Sequence, residues 1–110
     1  MGRFVKGDVV VIPFPFPDLS ETKRRPALVL ANAGDNAAIL CQITSQAVRD
    51  PDAIELDLAD FESGSLNRRS NIRPNRIFTA DNRIILYRAG RLTAGKTAGV
   101  VEKLVEILER

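Results

Sequence analysis

The sequence predicts a mainly β domain of α+β type, with antiparallel strands and one C-terminal helix. Three observations predict it. Short apolar runs alternate with turn-rich stretches along most of the chain. The runs at 26–32 and 37–43 are joined only by "AGDN". A parallel crossover needs a dozen or more residues, so these two runs form an antiparallel hairpin. Last, "TAGVVEKLVEILER" places Val100, Val101, Leu104, Val105 and Leu108 on one helical face, with Glu102, Lys103, Glu106 and Glu109 elsewhere.

The elements follow in order. "GDVVVIPF" (7–14) is apolar on both faces and reads as a central strand. "PFPDLSETKRR" (15–25) has no apolar period and reads as a long surface loop, a kind of loop that tends to be functional. "PALVLAN" (26–32) and "AAILCQI" (37–43) are the hairpin strands, and "TSQAVRDPD" is a loop. "AIELDL" (53–58) alternates apolar and acidic residues, as a half-exposed strand does. A loop or short helical segment follows around "ADFESGSLNRR". "SNIRPNRIF" is a short extended piece broken by Pro74, expected at an edge or corner. "RIILYRAG" (83–90) is the last strand, and Thr93 is placed to cap the final helix.

The last strand and helix flank "GRLTAGKT" (90–97), which fits the phosphate-loop pattern G-x-x-x-x-G-K-[ST]. The match misleads. A phosphate loop belongs to a parallel sheet, and here the helix after Thr97 ends the chain with no later strand. Gly90, Gly95, Lys96 and Thr97 read instead as a turn and a helix start.

Length sets one domain, residues 1–110. No run of 18 apolar residues spans a membrane, and the N-terminus has no signal-peptide pattern. The single Cys41 reads as a buried apolar side chain and fits a reducing, cytoplasmic setting. There is no histidine, which removes Ser/His and Cys/His nucleophile pairs and the usual zinc ligands. Net charge is +2, unevenly spread. Residues 50–62 hold six acidic side chains and no basic one; residues 68–91 hold seven arginines and one acid. A second basic cluster is Lys23-Arg24-Arg25. Guanidinium forks suit phosphate, so the two clusters point to nucleic acid. Asp50, Asp52, Glu55 and Asp57 have nothing converging on them from elsewhere, so they read as a solvated hairpin and not as a metal cluster.

Three segments in chain order carry a resemblance: "GDVVVIPFPFPDLSETKRRPALVLAN" (7–32), "CQITSQ" (41–46) and "GSLNRRSNIRPNRIFTADNRIILYRAGRLTAG" (64–95). The most specific pieces are Gly7-Asp8, Arg25-Pro26 and Ile43-Thr44-Ser45. Together they resemble the MazF/PemK family of toxin endoribonucleases. The resemblance implies a small SH3-like antiparallel barrel with a C-terminal helix, assembled as a homodimer. It implies the toxin of a type II toxin–antitoxin system, held in check by a cognate antitoxin. It implies sequence-specific, metal-independent cleavage of single-stranded mRNA through the RNA's own 2′-OH, with no cofactor, arresting translation and growth.

Carried over by position, the resemblance makes Arg25 the catalytic arginine and Thr44 the catalytic hydroxyl. Ser45, Glu21 and Ser70 are possible support, although the spacing of Glu21 does not match all members. RNA contacts are expected from Phe16, Lys23, Arg24, Gln46, Arg69, Arg73 and Arg76. The chemistry agrees with the residue types. A guanidinium at a loop-to-strand junction can grip two oxygens of a phosphorane, and a strand-end hydroxyl can donate to the same phosphate. Phe16 between prolines is better placed than Phe14 to stack a base. A non-nuclease toxin of the same fold, of the gyrase-poisoning kind, is the alternative; it is expected to act through the C-terminal end of the chain.

Overall fold

The computed structural model describes residues 4–15 and 22–110, with side chains described for 4–13 and 24–110. Among the described residues, seven strands form one antiparallel sheet. They are β1 (Asp8–Pro15), β2 (Thr22–Asn32), β3 (Ala37–Thr44), β4 (Ile54–Leu56), β5 (Phe61–Gly64), β6 (Ser70–Asp81) and β7 (Tyr87–Leu92). Their spatial order is β4-β6-β3-β2-β1-β7-β5. Helix α1 (Ala94–Leu108) closes the chain. The result is an antiparallel β half-barrel with one C-terminal helix, as the sequence predicts.

Strand pleating sorts the apolar residues into two clusters on opposite faces. One holds Val9, Leu28, Cys41, Ile43, Leu56, Ile72 and, from α1, Val100. The other holds Val10, Ile12, Ala27, Val29, Ala38, Leu40, Ala80 and Ile85. Because both faces of β1, β2 and β3 are covered, their sequences read as continuous apolar runs. Cys41 lies fully inside the first cluster, and burial pushes its thiol up to about 12.

The last strand, expected over 83–90, runs Tyr87–Leu92 after a 3-10 turn at Asn82–Ile84, and three further segments differ from expectation. First, "SNIRPNRIF" is no short edge piece. It belongs to the 12-residue β6, which lies between β4 and β3. Pro74 is tolerated there because the β3–β6 register jumps from Cys41↔Ile77 to Gln42↔Arg73. Residues 74–76 bulge out, so the missing proline N–H costs no ladder bond. Second, part of "ADFESGSLNRR" forms β5, which crosses β7 closely. A Cβ on Gly90 would sit 2.6 Å from the Ser63 carbonyl, and one on Gly64 would strike the Ala89 carbonyl. Gly90 is therefore a packing glycine inside β7, not a turn. Third, β2 starts at Thr22, ahead of Pro26. Residues 22–26 pair with β1, while the β2–β3 ladder begins at Ala27↔Gln42. Pro26 thus has no N–H to offer where no β3 bond is made.

The helix obeys its sequence signals at the start. The Thr93 hydroxyl accepts from the Lys96 N–H at 3.2 Å, a cap worth about 1 kcal/mol. Its predicted apolar stripe is only partly used. Val100 is buried and Leu104 packs on the first cluster, but Val105 and Leu108 are 45% and 69% exposed.

Candidate active site

The candidate site grows from the sheet register. On the second face, opposed residues form a row across the strands: Glu55↔Asn71, Asn71↔Thr44, and Arg25↔Ile12. The β2–β3 register of Ala27↔Gln42, continued by two residues past the last ladder bond, sets Arg25 across from Thr44. Both alternate in step with buried second-face residues of their own strands, Ala27 and Leu40 respectively. Directly opposed strand residues have Cβ atoms about 4.5–5.5 Å apart. Arg24 points to the opposite face and is exposed; Arg25 is half-buried. Pleating therefore distinguishes two arginines that are adjacent in sequence.

The Thr44 hydroxyl has a defined polarity. Its side chain is 8% exposed, and its Oγ1 accepts from the Gln46 backbone N–H at 3.2 Å. The hydroxyl hydrogen remains able to donate to an acceptor. Gln46 is exposed and contributes this backbone bond. Ser45 is exposed at the start of the same turn. Gln42, two residues back on the same face, has a buried Oε1 with no hydrogen-bond partner among the described residues.

The other expected residues fall in different places. Ser70 is buried with the pleat of Ile72, on the first face, and its hydroxyl donates to the Arg68 carbonyl at 3.0 Å. It anchors a loop and does not approach Thr44 from the row. Arg73 is on the row side but is locked: its Nε donates to Asp50 Oδ2 at 3.1 Å, and the carboxylate side chain is 6% exposed. Arg69 is exposed and bound to Asp57 at 2.7 Å. Arg76 is exposed in the β6 bulge. Glu21 and Phe16 lie outside the described residues, as does the side chain of Lys23.

A profile of the PemK-like, MazF-like toxins of type II toxin–antitoxin systems matches residues 5–108. The chain belongs to this toxin family. No curated protein matches it by sequence. Among solved structures, it is similar to MazF in a MazE-MazF crystal structure from Deinococcus radiodurans, with TM-score 0.77 and 23% identity over 96% of both chains. It is also similar to an endoribonuclease in complex with its cognate antitoxin from Mycobacterial species, with TM-score 0.76 and 13% identity, covering 97% of this chain and 96% of that one. A third likeness is the Mycobacterium tuberculosis toxin MazF-mt6, at TM-score 0.71 and 16% identity over 93% and 96% of the two chains.

Within this toxin fold the charge distribution differs from the sequence reading. The acidic stretch is not a solvated hairpin. Asp50 binds Arg73, Asp57 binds Arg69, Asp60 binds Lys96 at 3.4 Å, and the buried Asp52 binds Arg110. Five of the seven arginines between 68 and 91 are ion-paired: Arg69, Arg73, Arg83, Arg88 and Arg91. The sequence shows the charges but not their partners, which lie up to 83 residues away. Lys96 and Thr97 of the phosphate-loop match are likewise committed, to Asp60 and to the Thr93 carbonyl. Among the described residues, no group of three or more metal-ligating side chains converges. No described helix is long and apolar enough to cross a membrane.

Of the row, Asn71 escaped the sequence reading, and Glu55 was read only as part of a solvated hairpin. Asn71 is directly opposite Thr44, and Glu55 is exposed one strand beyond. Glu55 lies about 10 Å from Thr44 by strand spacing, nearer to a neighbouring nucleotide than to the same phosphate. No local pattern marks either residue; only the β4-β6-β3 order brings them into line.

The carboxylates of this network also set a pH dependence. The Asp52 backbone N–H, with Arg73 and Asn75, holds the Asp50 carboxyl below its usual range. Arg83 draws Asp81 down to about 2. A depressed carboxylate stabilises the fold above its unfolded value, near 3.9, and that contribution is lost as pH falls through the folded value. Stability is therefore expected to drop between about pH 4 and 2. In melting curves at stepwise pH, the gap between wild type and Asp50→Asn should narrow below pH 4. A gap constant down to pH 2 would contradict this assignment.

Proposed function

We propose that this toxin is a sequence-specific, metal-independent endoribonuclease that cleaves single-stranded mRNA and arrests translation. The observation that supports this best is the shared face and register of Arg25 and Thr44. In the proposed step, the 2′-oxygen attacks the adjacent phosphorus and loses its proton. The P–O5′ bond then breaks and the 5′-oxygen gains a proton, leaving a 2′,3′-cyclic phosphate and a 5′-hydroxyl. Arg25 grips the phosphorane oxygens as their charge grows, and Thr44 donates its hydroxyl hydrogen to the same group. Arginine stays protonated, so its role here is clamp rather than base; the 2′ proton passes to solvent water, and water returns a proton to the 5′-oxygen. No cofactor enters these steps. The active form is a cytoplasmic homodimer, and an acidic, disordered antitoxin segment covers the RNA surface in the neutralised state.

The test is incubation of the purified protein with an unstructured RNA in excess EDTA. Cleavage at defined sequences is expected, with cyclic phosphate ends. Cleavage that stops in EDTA and returns with Mg²⁺ would overturn the metal-free mechanism. Intact RNA under all conditions would favour the non-nuclease alternative.

A further inference from the structure

We infer that Gln42 is a positioning residue: its side-chain carbonyl accepts one guanidinium N–H of Arg25 and so fixes the direction in which that arginine presents its other donors to the phosphate. This rests on the nuclease reading above. The observation behind it is an unused acceptor. Gln42 Oε1 is buried and meets no hydrogen-bond donor among the described residues. Burying an acceptor without a donor costs stability, and native chains hold few such atoms. Positions that break a local rule of this kind gather where function requires it. The other such acceptor among the described residues, Asn82 Oδ1, lies at the far end of β3, where the Asn82 N–H donates to the Asn36 carbonyl. Gln42 alone of the two is beside the proposed site.

Register puts this acceptor next to Arg25. Along β3, Gln42 stands between Leu40 and Thr44 on the second face. Its directly opposed residue on β2 is Ala27, whose side chain ends at the methyl. Arg25 precedes Ala27 by two residues, so it is the diagonal neighbour of Gln42 on the same face. Diagonal Cβ atoms lie about 7–8 Å apart, within reach of two long side chains, and the Ala27 methyl takes up little of the space between them. A guanidinium carries five N–H donors, so one can serve Gln42 while a fork of two faces the phosphate. On the other side, Arg73 of β6 is opposite Gln42, but its Nε donates to Asp50 at 3.1 Å. That bond turns the Arg73 guanidinium toward the loop between β3 and β4.

The consequence is kinetic. A phosphate meets the charge of Arg25 whichever way the guanidinium is turned, so RNA affinity depends little on Gln42. The phosphorane charge grows only in the transition state, and a fork turned off line meets it poorly, so the loss falls on rate. Gln42 touches no reacting atom and acts only through Arg25.

The experiment is a double-mutant cycle on single-turnover RNA cleavage, with wild type, Gln42→Met, Arg25→Ala and the double variant. Methionine matches glutamine in length and removes the acceptor. Gln42→Met should slow cleavage by about tenfold, since small misplacements of a catalytic group carry costs of this order. Its RNA Kd should stay within about twofold of wild type, because the lost interaction belongs to the transition state. Its melting temperature should equal or exceed that of wild type, as when an unpaired buried acceptor is removed. In the Arg25→Ala background the same substitution should change the rate by less than about twofold, because the guanidinium that Gln42 orients is gone. Wild-type rate in Gln42→Met would overturn the inference. Equal losses in both backgrounds would overturn it too, since Gln42 would then act independently of Arg25. A slow Gln42→Met that melts more than about 5 °C below wild type would assign Gln42 to the scaffold instead. A wild type that cuts no RNA would refute the nuclease reading itself, and this inference with it.

Discussion

Arg25→Ala is expected to slow RNA cleavage by on the order of 10²-fold or more. The lost guanidinium would otherwise meet charge that grows only in the transition state, and losing one such donor typically costs this much. Arg25→Lys should fail as well, because an ammonium cannot make the bidentate grip. Thr44→Val keeps the shape of the strand end and removes the donated hydrogen, so its loss should fall on rate more than on RNA affinity. Arg24→Ala should cut near normally, since its side chain points to the other face of β2. All these variants should melt close to wild type, Arg25 being half-buried and beyond the last β2–β3 ladder bond. Single-turnover cleavage of a fluorescent RNA, with melting temperature as control, checks the set. Near-normal cleavage by Arg25→Ala beside an inactive Arg24→Ala would mean that the tandem arginines are exchanged in role.

Asp8→Ala is expected to destabilise the fold by about 2–3 kcal/mol, since it removes the acceptor of a buried, partly charged network. The Asp8 side chain is 2% exposed. It accepts from the Val5 N–H at 2.9 Å and the Arg91 Nε at 2.9 Å, with Arg88 at 3.6 Å. These bonds tie the N-terminal turn to β7. The two arginines, Arg91 and Arg88, are 36% and 49% exposed, which puts the cost below that of breaking a fully buried pair. For a domain of this size the melting temperature should fall by roughly 10 °C or more. Asp8→Asn should fall less, because its carbonyl oxygen still accepts one bond. A melting temperature within 2 °C of wild type for Asp8→Ala would show that the network contributes little. Gly7-Asp8 was one of the most specific pieces of the family resemblance, and the geometry assigns Asp8 to holding the scaffold together.

Some features were legible because they depend on neighbours in sequence. Alternation and apolar runs located β1, β3 and the start of α1; "AGDN" required a hairpin; Thr93 capped the helix it preceded. The absence of histidine narrowed the chemistry to carboxylates, hydroxyls, lysine, arginine and tyrosine. Arg25 and Thr44 were nameable through the family resemblance that Arg25-Pro26 and Ile43-Thr44-Ser45 carry. Tertiary structure decided what depends on partners far along the chain. Pro74 made β6 look like a broken edge piece, and a bulge against β3 let it run twelve residues between β3 and β4. The arginines of 68–91 looked like one RNA-facing surface. Ion pairs with Asp8, Asp50, Asp57 and Asp81 commit five of them, since pairing is set by distance in space. The row of Arg25, Thr44, Asn71 and Glu55 likewise exists only through register: a slip of one residue would turn each side chain to the opposite face.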